Sequence, residues 1–565
     1  MKKERKLQYG ITLIALVITI IVILIIAGTA VSITVNSEGL MSKTDKATKK
    51  SNLKSLKESV DIAYLLSKTD DTEGTFKEKI EEQMEGIAIT EVAGHTDVVC
   101  VEKDGVAVTA YENGDILEGK TEFWGEKLIE CPKFEKKNDI WNWQIFTPGQ
   151  LNFLSIFVNN GNSLTGETNL TSYVVDYETE DVTMNPETTI YLMNNLDLGA
   201  RPGEGATESA KWALNTKWTP IGIDETNVIN KLGTFEGNNY CIKGVYVNRD
   251  GDYNGIFGNS NTIRNLTIKD SYIEGAEYTG GIVGYGHGGE IKNCHNNNTI
   301  VNGKSCIGGI AGLTNQLIYK CSNSGNITCK NTNNAMMVGG ISGALVGGEN
   351  NVLTIDECVN SGTVEGRGTY TGGILGQTRY SIITNCVNSG QVIHRTSTSG
   401  YQQDIGGVTG FIIGSRIEKC ANTGTIQVAG SFTGGIVGRV LSTNAIVNCY
   451  NTGFINGKNG SGGIMGAAYG NGNPSSIENC YNIGAINGTS NIGGLIGEMG
   501  NQPTCTNSYY LTGTATRDIG NASASNFVKD KNYITTTFVS TANQNEIAWE
   551  VIENKNDGFP VLVQN

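Results

Sequence analysis

The sequence is poor in proline, in histidine and in positive charge. Only 8 of its 565 residues are proline and 4 are histidine, although glycine reaches 74. Few prolines beside so many glycines exclude a collagen-like chain and a disordered tract rich in both residues. The net charge of -14 argues against a nucleic acid partner, because phosphate contacts need clustered Lys and Arg side chains.

Catalytic signatures are also missing from the sequence. No histidine starts an HExxH zinc-peptidase motif, and no GxSxG turn, Walker loop or dinucleotide fingerprint occurs in its required context. We therefore expect no enzyme activity, no cofactor and no metal. A glycan-active β-helix enzyme stays open as a less favoured alternative, and its only charged candidates are scattered: Arg367, Arg379, Arg395, Arg416 and Asp404.

One long uncharged run lies near the N-terminus. Ile11 to Val35 contains no charged residue, and the ten residues before it include Lys2, Lys3 and Arg5. A helix of this length spans about 38 Å, which exceeds the ~30 Å hydrocarbon core of a bilayer. Residues 11–36 are thus predicted to form a transmembrane helix in contact with membrane lipid. Its positive flank should stay cytoplasmic, so the bulk of the chain should lie outside the cell.

The stretch YGITLIALVITIIVILIIAG resembles the prepilin-type N-terminus of type IV pilins and pseudopilins, in the variant common in Gram-positive bacteria. The resemblance implies residues 1–10 as a leader, cleavage between Gly10 and Ile11 by a prepilin peptidase, and location in the bacterial cytoplasmic membrane. Most pilins carry a glutamate five residues into the mature chain, but this sequence has Ala15 there. That departure favours a minor, tip or merely anchored protein, with other pilin-like subunits as possible partners. An unprocessed signal anchor stays open.

Helical periodicity resumes after the apolar run. An amphipathic stalk helix is predicted over 37–70, with one apolar stripe formed by Leu53, Leu56, Val60, Ala63 and Leu66. Residues 71–120 are predicted as a small α+β domain, with a helix over FKEKIEEQM and strands around Val98 to Val101 and Val106 to Ala110.

Repetition is the strongest signal in the sequence. Glycine pentads of the type GGIVG recur at intervals of 26 to 34 residues, after a degenerate copy at Asn254; they start at Gly280, Gly308, Gly339, Gly372, Gly406, Gly434, Gly462 and Gly493. Such a fixed period is typical of a solenoid, in which no single repeat can bury its own apolar side chains.

A second block, seen as IKNCHN or IENCYN, lies between the pentads. An isoleucine precedes each cysteine except the last by three residues, and an asparagine follows every cysteine by two. The cysteines are Cys294, Cys321, Cys358, Cys386, Cys420, Cys449, Cys480 and Cys505. The asparagines are Asn296, Asn323, Asn360, Asn388, Asn422, Asn451, Asn482 and Asn507. An aliphatic residue stands six residues after each cysteine: Ile300, Ile327, Val364, Val392, Ile426, Ile455, Ile486 and Leu511.

Strand parity predicts where these side chains point. Cysteine, asparagine and the aliphatic residue share one parity and should all face the interior. The isoleucine has the other parity, so a corner or bulge must separate it from the cysteine. We expect about three short strands per repeat and a ladder of interior asparagine amides that hydrogen bond from coil to coil. The cysteines are expected to be buried free thiols; disulfides and metal ligation are less favoured alternatives.

The repeats resemble the GLUG-motif family of bacterial surface proteins, named for a short Gly-Leu-x-Gly core, from about Trp143 to Leu562. The resemblance implies a cell-surface role. Together the patterns predict a mostly β protein, a right-handed parallel β-helix or solenoid of about nine or more coils. Its predicted parts are a linker with a cap and first coils over 121–253, repeats over 254–511 and a C-terminal cap over 512–565.

The predicted function is non-enzymatic: a pilin-like, membrane-anchored protein that displays its solenoid for adhesion or surface structure. A minor pseudopilin of a type II secretion or type IV pilus-like machine is the alternative. The surface ligand is predicted only by class, as a glycan or a host or extracellular-matrix component. The longest insertion, HRTSTSGYQQD, offers Arg395 and Tyr401 as possible ligand contacts.

Overall fold

The computed structural model divides the chain into two compact units, Met1–Glu118 and Gly119–Asn565. It describes residues 37–69, 74–84, 86–92, 95–124, 128–165, 167–174, 183–203, 205, 207–213, 215–223, 232–330, 336–395, 403–442, 444–469, 475–500, 503–521, 527–544 and 546–563. The predicted leader with Gly10 and Ile11, and the predicted membrane helix over 11–36, lie outside these residues. Among the helices that the structure describes, none has the length and apolar character needed to span a bilayer.

The first unit combines two helices with a four-stranded antiparallel sheet. The helices are Ser37–Thr69 and Phe76–Gln83. The strands are Ala88–Val92, His95–Lys103, Val106–Tyr111 and Ile116–Glu118, in that order across the sheet. Asp104 and Gly105 both have positive φ, as a tight turn between two adjacent antiparallel strands requires.

The long helix contributes to the core of this unit. Leu56, Val60 and Ala63 are buried in one hydrophobic cluster with Ile80 and Val101. Leu66, predicted on the same stripe, is instead 47% exposed. The second half of the predicted stalk is therefore an integral part of the α+β fold.

The second unit is a parallel β-solenoid of about nine coils, which confirms the predicted parallel solenoid and its number of coils. Each full coil contributes one strand to each of five sheets, numbered here in the order in which the chain passes through them. All strand pairs in these sheets are parallel except one hairpin at the start of sheet 3, Lys133–Lys137 with Ile140–Ile145.

Sheets 1 and 2 lie on either side of the glycine pentads. Sheet 1 contains Glu277–Gly280, Ser305–Gly308, Met337–Gly339, Tyr370–Gly372, Asp404–Gly406, Phe432–Gly434, Asn459–Gly462 and Ser490–Gly493. Sheet 2 contains Phe257–Ser260, Val283–Gly286, Ala311–Thr314, Ser342–Val346, Leu375–Arg379, Thr409–Ile413, Val437–Leu441, Met465–Tyr469 and Ile496–Met499.

Sheets 3 and 4 contain the isoleucine and asparagine positions. Sheet 3 contains Lys133–Lys137, Ile140–Ile145, Thr189–Leu192, Thr234–Glu236, Thr262–Arg264, Glu290–Lys292, Leu317–Tyr319, Leu353–Asp356, Ser381–Thr384, Arg416–Glu418, Ala445–Val447, Ser476–Glu478 and Thr504–Thr506. Sheet 4 contains Thr121–Phe123, Asn195–Asp197, Cys241–Lys243, Thr267–Lys269, His295–Asn297, Ser322–Asn323, Val359–Asn360, Val387–Asn388, Ala421–Asn422, Tyr450–Asn451, Tyr481–Asn482, Tyr509–Leu511 and Val528–Lys529.

Sheet 5 carries the aliphatic position that follows the asparagine. It contains Tyr246–Asn248, Tyr272–Glu274, Ile300–Gly303, Ile327–Cys329, Val364–Gly366, Val392–His394, Ile426–Val428, Ile455–Asn456 and Ile486–Asn487. The expectation of about three strands per repeat was therefore wrong. Strands of two to five residues are too short for period-two alternation to separate them in the sequence.

The predicted corner between isoleucine and cysteine is a single residue in the left-handed region. The residue just before each cysteine from Cys294 to Cys480 has φ between 50° and 53°. This conformation reverses the pleat, so the isoleucine and the cysteine both face the interior. Both columns are fully buried in one continuous core, as Ile291 and Cys294 illustrate.

Two register predictions were wrong. In the coil of Cys294, Asn298 has φ of 59° and adds one residue, so that Val301 rather than Ile300 pairs with Ile327. At the C-terminal end, Cys505 pairs with Ile477 and so occupies the isoleucine column. Ser508 takes the cysteine position there, and its hydroxyl donates to Thr506 O at 2.9 Å. Asn507 is consequently the corner residue and not part of the asparagine ladder.

The remaining helices lie at the two ends of the repeat. The helix Pro148–Asn159 begins after Thr147, whose side chain accepts a hydrogen bond from the Gln150 N–H. The ring centroids of Phe157 in this helix and of Trp143 lie 5.0 Å apart. Shorter elements follow along the chain. They are Thr171–Tyr173, Glu208–Trp212, Lys531–Tyr533, Ile534–Phe538, Val539–Ala542 and Asn556–Gly558, with an antiparallel pair of strands, Trp549–Glu550 and Val561–Leu562.

Candidate functional site

The predicted cysteine ladder lies inside the solenoid. Each thiol donates to the carbonyl oxygen two residues earlier, across the left-handed corner, at 3.0 to 3.4 Å. The seven residues are Cys294, Cys321, Cys358, Cys386, Cys420, Cys449 and Cys480; all are buried and none forms a disulfide. The same carbonyls also accept the backbone N–H of the corner residue in the preceding coil, as Lys292 O does from Asn265 at 3.0 Å, so the thiol adds a second donor to each.

Burial sets the chemistry of these thiols. It raises the pKa of Cys358, Cys386 and Cys449 well above the usual range, because a thiolate would be poorly solvated in the core. These three thiols are consequently protonated and unreactive in the folded protein. Among the described residues, no group of three or more His, Cys, Asp or Glu side chains is placed to hold a metal ion.

The asparagine ladder runs unbroken from Asn323 to Asn482. Each Nδ2 donates to the Oδ1 of the asparagine in the next coil at 2.7 to 2.8 Å. The same amide also donates to the carbonyl of the glycine two residues later, at 2.9 to 3.0 Å. The members are Asn323, Asn360, Asn388, Asn422, Asn451 and Asn482.

Asn296 was predicted as part of this ladder, but it bonds elsewhere. Its amide donates to Gly309 O at 3.0 Å, and its Oδ1 accepts from the Thr299 N–H at 3.0 Å. The extra residue Asn298 follows directly and changes the turn. Both repeated polar side chains thus serve the interior, and neither offers a site to a ligand.

The predicted ligand loop is only partly described. Arg395 is 57% exposed in its side chain, and its Nε donates to Glu365 Oε1 at 2.7 Å. Arg367 donates to the same oxygen at 3.1 Å. Tyr401 lies outside the described residues. The two arginines therefore converge on one carboxylate, while Arg416 pairs separately with Glu418 at 2.7 Å.

A cleft of about 710 Å³ opens on the outer face of sheet 5. We call it the Tyr272 cleft. Three successive coils of sheet 5 and the segment around the helix Glu208–Trp212 enclose it; the lining residues are Thr207, Ser209, Tyr272, Ile300, Asn302, Asn326, Thr328 and Lys330. This volume lies within the range of small-molecule binding sites.

A hydrogen-bonded network forms the floor of the Tyr272 cleft. The fully buried Tyr272 donates its hydroxyl to Glu274, and the Lys330 ammonium lies 2.5 Å from the same carboxylate. Lys330 also donates to the Tyr272 oxygen at 3.5 Å. Burial, and then the bond to Glu274, raise the pKa of Tyr272, so its hydroxyl stays protonated at neutral pH.

Aromatic contacts hold the Tyr272 ring in place. The ring stacks on Trp212 with centroids 5.7 Å apart, and its centroid lies 5.9 Å from that of Tyr246. Trp212 belongs to the short helix that forms one wall. The same contacts therefore fix the floor and the wall of the cleft relative to each other.

A second group of aromatics, half-buried at the surface, follows sheets 1 and 2. Tyr253, Tyr278 and Tyr285 stack with centroids 5.3 to 6.3 Å apart, and His287 lies 4.6 Å from Tyr285. None of the three tyrosines belongs to a hydrophobic core cluster of the described chain. They form a surface stack without a deep cleft of their own.

A buried ion pair lies further along sheets 1 and 2. Asp404 Oδ2 accepts from Arg439 at 2.8 Å, and the Asp404 side chain is fully buried. The guanidinium also lies 4.8 Å from the centroid of Phe411. Burial raises the pKa of Asp404 to about 7, although Arg439 opposes the shift. Asp404 is therefore a structural partner of Arg439 and is not available to a ligand.

The Tyr272 cleft was not predicted from the sequence. Glu274, Asn302 and Thr328 pair in register on successive strands of sheet 5, each directly after the buried aliphatic residue of its coil. An alignment of that position in every repeat would have found this column. The opposite wall, with Thr207 and Ser209, lies in the nonrepetitive segment and carries no repeat signal.

Fold and repeat together define a parallel β-solenoid. The protein-family model described as the GLUG motif matches residues 275–301, about one coil. Such a solenoid indicates a surface or adhesion-type protein. A search of curated proteins found no match.

One solved structure is similar over much of its length. It is a crystal structure described as that of a "putative immunoglobulin A1 protease" from Bacteroides ovatus, with 17% sequence identity and a TM-score of 0.32. The match covers 74% of this chain and 92% of that chain. At this TM-score the likeness carries no argument about the activity of the present protein.

Proposed function

We propose that this chain is a non-enzymatic bacterial surface protein that displays its solenoid for adhesion. The observation that supports the proposal is the division of polar groups between interior and surface. Repeated cysteine and asparagine side chains bond inside the coils, whereas Asn326, Thr328 and Lys330 in the lining of the Tyr272 cleft are at least partly exposed to solvent. Residues 11–36 anchor the chain in the cytoplasmic membrane, with the N-terminus inside.

Surface display is tested with the full chain expressed in a Gram-positive bacterium. Intact cells are treated with an impermeant amine-reactive label and with protease, and are then tested for attachment to immobilised glycans and extracellular-matrix proteins. We expect labelling of solenoid lysines, loss of the solenoid on proteolysis, and attachment that proteolysis abolishes. A solenoid that neither reagent reaches on intact cells would overturn the proposal.

The anchor has its own test. Ile23→Arg places a charge at the middle of the apolar run, where it costs about 3 kcal/mol in membrane insertion, and is expected to reduce the membrane-bound fraction. Ile23→Leu is the matched control and should behave like the wild type. Equal membrane retention of both variants would show that another segment holds the chain.

Leader processing is a further part of the proposal. The residues around Gly10 support cleavage before Ile11 by a prepilin peptidase. Mass spectrometry of the membrane-bound protein should find a methylated Ile11 as the first residue. An intact Met1 leader on protein at the cell surface would exclude pilin-type processing and leave a plain signal anchor.

A further inference from the structure

We propose that the Tyr272 cleft binds a neutral saccharide. The inference rests on the proposed adhesive function and assigns a ligand class to one place on the solenoid. The cleft of about 710 Å³ has room for a small oligosaccharide, and its lining consists mainly of hydroxyl and amide groups. These groups donate and accept hydrogen bonds, as a polyhydroxylated ligand requires.

The balance of charge in the cleft selects against an ionic ligand. Among the described residues of the lining, Lys330 alone is charged, and its ammonium lies 2.5 Å from Glu274. A sulfate, phosphate or carboxylate group would have to compete with Glu274 for this ammonium. Because Glu274 already balances this ammonium, Lys330 adds hydrogen-bond donors to the lining without adding net charge, and a neutral sugar hydroxyl can accept from them.

The polar groups are preorganised by the fold. Asn302 and Thr328 pair in register on adjacent strands of sheet 5, so their side chains stand about 4.8 Å apart. Tyr272 is held by Trp212 and Tyr246. Side chains that are already fixed lose little conformational entropy on binding, and this favours a ligand recognised through several weak hydrogen bonds.

One apolar contact completes the site. The half-buried Ile300 lies in the lining, between the aromatic cluster of Trp212 and Tyr272 and the polar Asn302. A sugar ring has apolar C–H groups on its faces and hydroxyls at its edge. Ile300 can cover such a face while Thr328 and Lys330 contact the edge, and the Asn302 amide, in a side chain that is 5% exposed, contacts the edge from the floor of the cleft.

The test uses the purified full chain in detergent and an array of neutral and sulfated mono- to tetrasaccharides, followed by calorimetry on the best probe. We expect a neutral saccharide to bind. Asn302→Ala should weaken that binding roughly tenfold or more, because loss of about 1.4 kcal/mol corresponds to a factor of ten. Thr328→Val, which keeps the side-chain shape, should also weaken it.

Asn456→Ala is the control for the outward column of sheet 5, because Asn456, which is more exposed than Asn302, lies in the same column but outside the cleft. It should bind like the wild type, and circular dichroism should show all three variants folded.

Binding of sulfated probes alone would overturn the charge argument. Unchanged affinity in Asn302→Ala and Thr328→Val, or no saccharide binding by a protein that still mediates cell attachment, would overturn the inference but leave adhesion standing. Loss of both would reject the proposed function itself.

Discussion

A single left-handed residue turns the chain in every coil. Asparagine occupies this corner in several coils, and its amide can bond along the stack: Asn293 Nδ2 donates to Asn265 Oδ1 at 2.8 Å, and Asn507 Nδ2 to Asn479 Oδ1 at 2.8 Å. Lys320, Glu357 and Lys419 are the exceptions, with φ of 50° to 53°. Residues other than glycine and asparagine adopt this conformation at a cost of about 1 to 2 kcal/mol.

Replacement of Glu357 tests this cost. Both Glu357→Asn and Glu357→Ala remove the surface contact with Lys320 at 3.4 Å, but only asparagine suits the left-handed backbone. We expect the asparagine variant to have a free energy of unfolding about 1 kcal/mol higher than the alanine variant, measured by urea denaturation. An alanine variant as stable as the asparagine variant would show that the corner is unstrained.

The buried pair of Asp404 and Arg439 makes a prediction about pH. Burial raises the pKa of Asp404 to about 7 in the folded protein, whereas an unfolded aspartate titrates near 4. The folded state therefore binds the proton more tightly than the unfolded state does. The stability that this protonation contributes is complete below about pH 4 and is lost as pH rises from about 4 to 7. Without Arg439, the ionised carboxylate would be buried and unpaired.

Arg439→Gln is accordingly expected to cost about 3 to 5 kcal/mol at pH 8 and clearly less at pH 5, where Asp404 can remain protonated. Thermal and urea denaturation at both pH values measure the difference. The double variant Asp404→Asn with Arg439→Gln should lose this pH dependence. Equal losses at pH 5 and pH 8 in the single variant would refute the assignment.

At the scale of elements, the glycine pentads allow the backbone to lie in direct contact with the next coil and with the asparagine ladder. A Cβ atom on Gly373 would lie 2.1 Å from Gly407 O and 2.3 Å from Asn388 Cγ, so the second glycine packs against the asparagine ladder. A Cβ on Gly372 would lie 2.0 Å from Leu375 O. The glycines are therefore required by sheet packing and not by loop flexibility.

Gly373→Ala is expected to destabilise the solenoid by about 3 kcal/mol or more, since both neighbours are fixed by their own hydrogen bonds. Gly348→Ala is the matched control, because a Cβ there meets no atom within 4 Å, and should change stability by less than about 0.5 kcal/mol. Melting temperatures of the two variants give the comparison. A Gly373→Ala protein that melts with the control would contradict this account of the pentad.

The solenoid could be predicted from the repeat spacing, because coils that stack on one another must place equivalent residues at regular intervals along the sequence. Ile291, Cys294 and Asn323 recur at positions that must be equivalent in every coil. Parity placed the cysteine and the asparagine inside, whereas the isoleucine has the other parity and required the predicted corner. The number of strands could not be predicted, since two-residue strands such as Val359–Asn360 are too short to show alternation. The exchange of Ile300 for Val301 depends on one left-handed residue, Asn298, for which local sequence gives no firm signal.

The candidate site was less accessible to sequence reasoning. Its floor joins Tyr272, Glu274 and Lys330 from strands two coils apart, and the alignment of those coils depends on the added residue Asn298. Its wall comes from the segment around Ser209, which belongs to no repeat. Contacts between repeated and unique segments need three-dimensional coordinates, whereas contacts within the repeat do not.

At the scale of the whole molecule, the C-terminal segment packs against the side of the solenoid. Phe538 and Trp549 lie in one buried cluster with Tyr450 and Tyr481, which project outward from sheet 4. The Trp549 Nε1 also donates to Asn448 Oδ1 at 3.3 Å. Coils of a solenoid depend mainly on their neighbours for stability, so this segment should stabilise the coils that it covers more than the distant ones.

Trp549→Ala tests this local coupling in the full chain. Trp549 is 1% exposed, and truncation of a buried tryptophan costs about 3 to 5 kcal/mol. We expect the coils of Cys449 and Cys480 to open more often, while those of Cys294 and Cys321 stay closed. Pulsed alkylation with iodoacetamide under native conditions, followed by peptide mass spectrometry, gives the rate at each cysteine.

The comparison between cysteines separates two ways in which the solenoid can unfold. All four thiols are buried in the folded protein, so each reacts only when its own coil opens. If the stack opens locally, Trp549→Ala raises the rates at Cys449 and Cys480 alone; if it opens as one unit, all four rates rise by the same factor. Val551→Ala, at a 46% exposed position of the same segment, should leave every rate unchanged. A uniform increase in Trp549→Ala would mean that the coils share one cooperative transition, and the nearest-neighbour description would then fail for this protein.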